Sequence, residues 1–303
     1  MIPRELEAEL EERTAMKHWG DLASVRTLYG WPELRRRFIE AVSGQFSRWI
    51  SPDQAHFREQ LIFAVGRFDE GAALLRYFAL QGLIRPARIL DIGAGNGGVA
   101  FALANCRDFA VHTLDIVPNS ELVSLRRALE LPVRPLVASG GGIPLEDESL
   151  DVVLLIDTLE HLPDAKGAGR EIMRVLKPGG VCVITTPARM KHLFTRDPHY
   201  GIRFIALLPN EVQRFVVDRI FRRRPRYDVT HLYWHVREIE RLFPGRTRTE
   251  VLFNRGYNPP PSLRHAIRHP STLRELIAYK TRGFFFDRIL IYKSEGVTSL
   301  LLP

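Results

Sequence analysis

Cysteine is nearly missing from this chain: Cys106 and Cys182 are the only two in 303 residues. Both lie in apolar patterns of buried-helix and buried-strand type. That excludes a disulfide-stapled scaffold and points to a reducing compartment. Nowhere does an apolar run approach the roughly 20 residues that a membrane-crossing helix needs. The start, MIPRELEAELEER, carries Glu5, Glu7, Glu9, Glu11 and Glu12, the opposite of the basic opening of a secretory signal. No export is therefore predicted, and the cytoplasm is the expected compartment. There is no internal repeat and no low-complexity tract. The histidine spacings match no standard zinc pattern, so no metal is expected. No recognisable nucleic-acid module accompanies the basic charge, which weighs against nucleic acid as a partner.

What is present reads as an ordinary globular chain, with 45% hydrophobic and 26% charged residues. The net charge of +8 is unevenly spread. Up to Ala188 there are 21 Lys and Arg against 25 Asp and Glu; beyond it there are 22 against 10. The basic C-terminal part fits an anionic partner, whether substrate, membrane surface or nucleic acid. It fits equally a solvated, arginine-rich surface.

From Arg88 onward, strand-like and helix-like periods alternate for about a hundred residues. ARILDIG, AVHTLDI, VRPLVAS, DVVLLID and VCVITTP read as strands. NGGVAFALANC, NSELVSLRRALE and GAGREIMRVL read as the helices between them, with Leu122, Leu125 and Leu129 on one face. Such alternation predicts a parallel sheet with helices on both faces. RTRTEVLF and FFFDRILIY add two strands, making about seven. Residues up to about Gly82 look helical, interrupted at Gly30-Trp31-Pro32 and Ser51-Pro52-Asp53. The expected division is a helical N-terminal cap over residues 1–71 and one α/β domain over 72–303, with insertions at about 189–235 and 254–283. NEVQRFVVDRIF is expected to be an amphipathic helix, with Val212, Phe215, Val216, Arg219 and Ile220 marking its faces.

The chemistry begins at ILDIGAGNGGVA, residues 89–100. A glycine turn between strand and helix lets backbone approach a ligand and aims helix N–H groups at it. Gly93, Gly95 and Gly98 spell the G-x-G-x-x-G of a dinucleotide turn. Gly93, Gly95 and Gly97 spell G-x-G-x-G instead. Asp115, 22 positions after Gly93, suits a ribose diol under either parse. Asp91, inside the motif, would repel a pyrophosphate but suits a ligand carrying an ammonium and a sulfonium. Further on come IPLEDESLDVVLLIDTLEHLPD and EIMRVLKPGGVCVITTP.

With these four motifs in this order, the chain resembles the class I S-adenosylmethionine-dependent methyltransferases, in particular the bacterial group with the LEHL and LKPGG signatures. The resemblance is strong over residues 72–187 and looser in the last strands. It implies a Rossmann-like seven-stranded, mostly parallel sheet whose last strand is antiparallel. It implies S-adenosylmethionine as cofactor, with Gly93, Gly95 and Gly97 beneath its methionine part and Asp91 near its amino group. Asp115 would hold the ribose, Ile116 would pack on adenine, and Asp157 would lie beside the transferable methyl. Where relatives commonly carry Asp-Ala to accept from the adenine amino group, this chain has Ser139 and Gly140.

The acceptor is sought in HLFTRDPHYGIRFIALLP, where this fold often inserts a substrate lid. His192, His199 and Tyr200 offer a base for a hydroxyl acceptor. His161 of the Glu160-His161 pair is a further candidate, for catalysis or for loop architecture. His231, Tyr233, Trp234 and His235 form a second polar-aromatic cluster. NPPP, at 258–261, lacks the position and the aromatic of an amino-methylation motif and reads as a loop. The expected reaction is O-methylation of a small-molecule, glycan or lipid-linked acceptor. RIFRRRPR, after an amphipathic segment, also fits peripheral contact with an anionic membrane surface. Two alternatives stay open: an NAD(P)-dependent oxidoreductase and a non-catalytic S-adenosylmethionine-binding module. The oligomeric state is left open by the sequence.

Overall fold

The structure is a computed structural model that describes residue 10 and residues 30–80, 86–190, 199–222, 229–252 and 288–293. The helices are α1 Trp31–Phe46, α2 Ala55–Leu80, α3 Gly98–Ala104, α4 Ser120–Leu129, α5 Ala165–Val175, α6 Asn210–Phe215 and α7 Val236–Glu240. The strands are β1 Ala87–Ile92, β2 Phe109–Asp115, β3 Arg134–Val137, β4 Leu150–Ile156, β5 Leu176–Thr185, β6 Arg246–Leu252 and β7 Arg288–Lys293. They form one seven-stranded sheet in the order β3-β2-β1-β4-β5-β7-β6. The expected α/β fold, Rossmann-like and mostly parallel with an antiparallel last strand, is what the chain adopts. None of its described helices is long and apolar enough to cross a membrane.

The described residues fall into two compact units, with the break at Ser139/Gly140 and Ser149–Val152 returning to the first. In the first, β1, β2 and β3 pair in parallel. The Gly30-Trp31-Pro32 interruption is the start of α1: Gly30, at φ 79°, is its N-cap and proline follows in the first turn. The inner face of α1 packs on α2, with the Trp31 and Phe38 rings stacked on Phe68 at 4.7 and 4.5 Å. Fully buried Asp69 is held by a two-pronged Arg35 guanidinium, at 2.9 and 3.0 Å. Helix α2 in turn lies against α3 with almost no side chain between them. A Cβ on Gly71 would come 2.5 Å from Ala102 Cβ, and one on Gly98 would come 2.9 Å from the Phe68 nitrogen.

Helix α4 opens with Asn119, whose Oδ1 accepts from Leu122 N at 2.9 Å, and it buries Leu122, Leu125 and Leu129 as their spacing predicted.

In the second unit, β7 lies antiparallel between β5 and β6. Helix α5 is capped by Asp164 Oδ1 on Gly167 N at 2.7 Å. It closes over the 143–147 loop through Arg174, which donates to the carbonyls of Ile143 and Leu145 at 2.9 and 3.0 Å. LKPGG is more than a turn here: β5 already begins at Leu176. The 210–221 segment departs from expectation. Its helix runs only to Phe215, then widens into a π turn over Val216–Ile220. Gln213 and Val217 are buried, Val216 is half-buried, and Val212, Phe215, Arg219 and Ile220 are exposed. NPPP, the 254–283 insertion and His192 lie outside the described residues.

Candidate active site

The first unit carries the glycine loop. All three glycines of the G-x-G-x-G parse are left-handed, at φ 71° (Gly93), 55° (Gly95) and 79° (Gly97), a region L side chains rarely adopt. Gly93 N donates to Leu114 O at 2.8 Å, tying the loop to β2. Asn119 Nδ2 donates to Gly95 O at 2.5 Å while its Oδ1 caps α4, so one side chain joins the loop to the next helix. A Cβ on Gly95 would meet only open space, whereas one on Gly97 would come 2.8 Å from the Phe101 ring. The two parses of the motif thus name glycines with different duties. Gly97 sets the backbone turn, and Gly98 lets α3 touch α2.

Around that loop the candidate cofactor residues separate by exposure. Asp91 is buried, and burial pushes its carboxyl up to about 7; the Asp115 charge adds to this and Arg67 opposes it. Such a group gains from a cation brought beside it. Asp115, at the end of β2, is half-buried, with Oδ1 accepting from Ile116 N at 2.8 Å. Ile116 itself is 71% exposed and Val117 follows it outward, an apolar pair standing in water as a flat ring would require. Ser139 is exposed, and Gly140, the first residue of the second unit, is buried. A buried acid wanting a cation, a second carboxylate, an open glycine cradle and an exposed apolar ledge together fit an ammonium-bearing nucleoside.

The second unit holds a polar cluster after β4. Asp157 is left-handed, at φ 47°, a strained placement for a non-glycine residue. Thr185 fixes it from both sides: Asp157 N donates to Thr185 O at 2.9 Å, and Thr185 Oγ1 donates to Asp157 Oδ1 at 2.8 Å. Three residues on, Glu160 is 0% exposed. Thr186 Oγ1 donates to its Oε2 at 3.0 Å, while its backbone oxygen accepts from Thr230 and His231. Its Oε1 has no hydrogen-bond partner among the described residues. That atom faces His199 Nε2 at 3.9 Å and His161 Nε2 at 4.0 Å, and the two imidazoles stand edge to face at 5.3 Å. Burial, then the Asp157 charge, raises the Glu160 carboxyl to about 7, against the pull of His199 and Thr186.

Glu160, His161 and His199 are also a donor set of the kind that holds a divalent ion, their ligand atoms lying within 4.8 Å of one another. Ligands about 2.1 Å from one ion stand roughly 3.0–3.4 Å apart, and the 3.9–4.0 Å gaps are wider. At 3.9–4.0 Å the carboxylate and the imidazoles are also too far apart for a hydrogen bond and act on each other as charges through space. Tyr200 is buried with Ile205 and Val217 in a small apolar cluster. His231 and Tyr233 stand 4.7 Å apart, and the buried Tyr233 hydroxyl is pushed up by burial and by the Glu160 charge. Sequence reading missed Thr185 and Thr186, which read as ordinary strand-ending residues, and Arg189. The Arg189 side chain is buried over the Trp234 ring at 5.0 Å and donates to Leu208 O and Asn210.

Residues 90–184, from β1 to the end of β5, match the methyltransferase domain family. The chain carries a class I S-adenosylmethionine-dependent methyltransferase domain. S-adenosylmethionine is accordingly the cofactor of this domain, and the nicotinamide alternative falls. Phosphoethanolamine N-methyltransferase 2 of Caenorhabditis elegans is 32% identical over 124 residues, 40% of this chain and 28% of that protein. A ubiquinone/menaquinone biosynthesis C-methyltransferase of Bartonella henselae is 26% identical over 166 residues, 49% of this chain and 63% of that one. The 27-O-demethylrifamycin SV methyltransferase of Amycolatopsis mediterranei is 36% identical over 97 residues, 31% and 36% of the two chains. The chain spans less than two thirds of the length of each of these three relatives. A solved structure of phosphoethanolamine N-methyltransferase 2 from Haemonchus contortus, with S-adenosylhomocysteine, is 20% identical with a TM-score of 0.46, covering 80% of this chain and 59% of that one.

Proposed function

We propose that this chain methylates a hydroxyl oxygen of a small-molecule, glycan or lipid-linked acceptor, with the Glu160, His161 and His199 cluster removing the proton. When bound, S-adenosylmethionine supplies an electrophilic methyl group on a sulfonium. Asp91 and Asp115 would hold its ammonium and ribose, with Ile116 and Val117 under the adenine. As the methyl carbon would exchange its bond to sulfur for one to the acceptor oxygen, leaving a neutral thioether, the hydroxyl proton would move to an imidazole nitrogen of the histidine pair. Ionised Glu160, within 4.0 Å of both Nε2 atoms, stabilises the imidazolium so formed. Thr186 keeps that carboxylate aimed by occupying its other oxygen.

One observation carries this reading: a fully buried carboxylate whose Oε1 lies within 4.0 Å of two imidazoles and makes no hydrogen bond among the described residues. Methyl transfer to a neutral nitrogen or to an activated carbon makes weaker use of such a base. Incubation with methyl-labelled S-adenosylmethionine and a fractionated cell extract, followed by NMR of the labelled product, tests it. A methoxy signal is expected. Label appearing solely on nitrogen or carbon would refute the oxygen assignment. Tight cofactor binding with no labelled product in any fraction would favour the non-catalytic module.

A further inference from the structure

Six of the eleven large apolar side chains that stand exposed among the described residues fall within eighteen positions: Phe204, Leu207, Val212, Phe215, Ile220 and Phe221. A single exposed apolar residue is ordinary, but six within eighteen positions are the local concentration that a surface meeting something apolar would carry. The same stretch has a satisfied inner side, where Val217 and Ile205 pack with Tyr200 and are flanked by Ile202, Leu208 and Val216. It is therefore apolar on both sides, and one side faces water. Phe204 is in addition held left-handed at φ 63°, a conformation costing a bulky L-residue about 1–2 kcal/mol, and its ring points outward.

The charges around these side chains choose the occupant. Arg203, Arg214, Arg219 and Arg222 are exposed among them, against exposed Glu211 and Asp218. Facing a second copy of itself, this surface would set arginine against arginine. Facing a layer of anionic headgroups, it places guanidinium groups at phosphate level and aromatic and aliphatic groups at the acyl boundary. We propose that residues 203–222 dock on an anionic lipid bilayer. The docked segment's inner side includes Tyr200, whose ring is 6.3 Å from that of His199. Docking thus holds the proton-accepting cluster near the lipid phase and makes a lipid-borne hydroxyl the acceptor class, a consequence that rests on the proposed function.

The test uses the full chain in cosedimentation with vesicles of phosphatidylcholine alone and of phosphatidylcholine mixed with phosphatidylglycerol. Binding to the mixed vesicles at least tenfold above the neutral ones, weakened by added salt, is expected. The Phe215→Ser, Ile220→Ser, Phe221→Ser triple variant should lose on the order of 100-fold in partitioning. In the Arg219→Glu, Arg222→Glu variant, each positive charge removed should cost about fivefold. Both variants should bind S-adenosylmethionine calorimetrically as the parent does, which separates lost docking from lost folding. Equal binding to both vesicle types, no binding to either, or variants that partition like the parent would overturn the proposal. So would a dimer that the triple variant disperses, or capture of a specific acidic protein at the same residues without lipid. Vesicle binding requires no turnover, so failure of the O-methylation reading would leave this result standing, and the reverse also holds.

Discussion

Replacing Glu160 by glutamine should make the protein more stable and far less active. In the native state this carboxyl sits near 7 rather than at its ordinary 4.5, chiefly because burial strips its water. Between those two values the folded chain holds a proton that the unfolded chain has lost. Stability therefore falls as pH rises through this window, and the cost is fully present above about 7. The gap corresponds to about 3 kcal/mol as an upper figure. Glutamine has the same shape, still accepts from Thr186 and carries no charge, so it should recover most of that amount at pH 8 and little at pH 4.5. For a chain of this size the gain is a rise in Tm of roughly 5 °C at pH 8. Turnover should fall by about 100-fold or more, because the imidazolium loses its counter-charge. The parent's activity should decline below pH 7 as Glu160 takes up its proton, and the variant should lose that part of the limb, keeping only the decline that comes from protonating the imidazole base. Thermal melts at both pH values, with pH–rate profiles, check the argument. A variant Tm at pH 8 equal to or below that of the parent would refute the desolvation argument. An unchanged acidic limb would remove Glu160 from the chemistry.

Cofactor binding should depend on pH through Asp91. Its carboxyl, at about 7 without ligand, must ionise to meet an ammonium, so affinity should weaken tenfold per pH unit well below 7; in Asp91→Asn, calorimetry should show weaker binding at pH 8 and no such slope. Gly97→Ala combines a left-handed φ with a 2.8 Å approach to the buried Phe101 ring and should destabilise by about 2–3 kcal/mol. Gly95→Ala, left-handed but in open space, should cost only about 1 kcal/mol in a denaturation curve and show its effect mainly in cofactor affinity. Removing divalent metals with a chelator should leave methyl transfer unchanged; restoration of lost activity by one added metal would make the Glu160 cluster an ion site instead.

What could be read from the sequence follows from how far apart the cooperating residues lie. The glycine loop is local. Three left-handed positions need three glycines within five residues, and the acid before them and the one ending β2 come from the same β-α-β unit. The alternation that revealed this unit is itself a short-range signal. The cluster around Glu160 has no such economy. Glu160 is met by Thr186 from the end of β5, by His199 beyond it, and by the Thr230 and His231 backbone. Nothing in the spacing of 160, 186, 199 and 230 announces that they converge. His161 and His199 were candidates by residue type and by the segments they lie in, and Tyr200, equally suited by type, is buried in an apolar cluster. The 210–221 segment failed for a different reason. Its apolar periodicity was real, and a periodic apolar stripe normally means a buried helix face. The same pattern serves a surface that meets lipid, and a sequence cannot say which side of a stripe is covered until the rest of the fold has chosen. Here Val217 and Ile205 took the inner positions around Tyr200 and left Phe215, Ile220 and Phe221 outside. The exposure of these side chains and the proposed docking surface are therefore one physical fact.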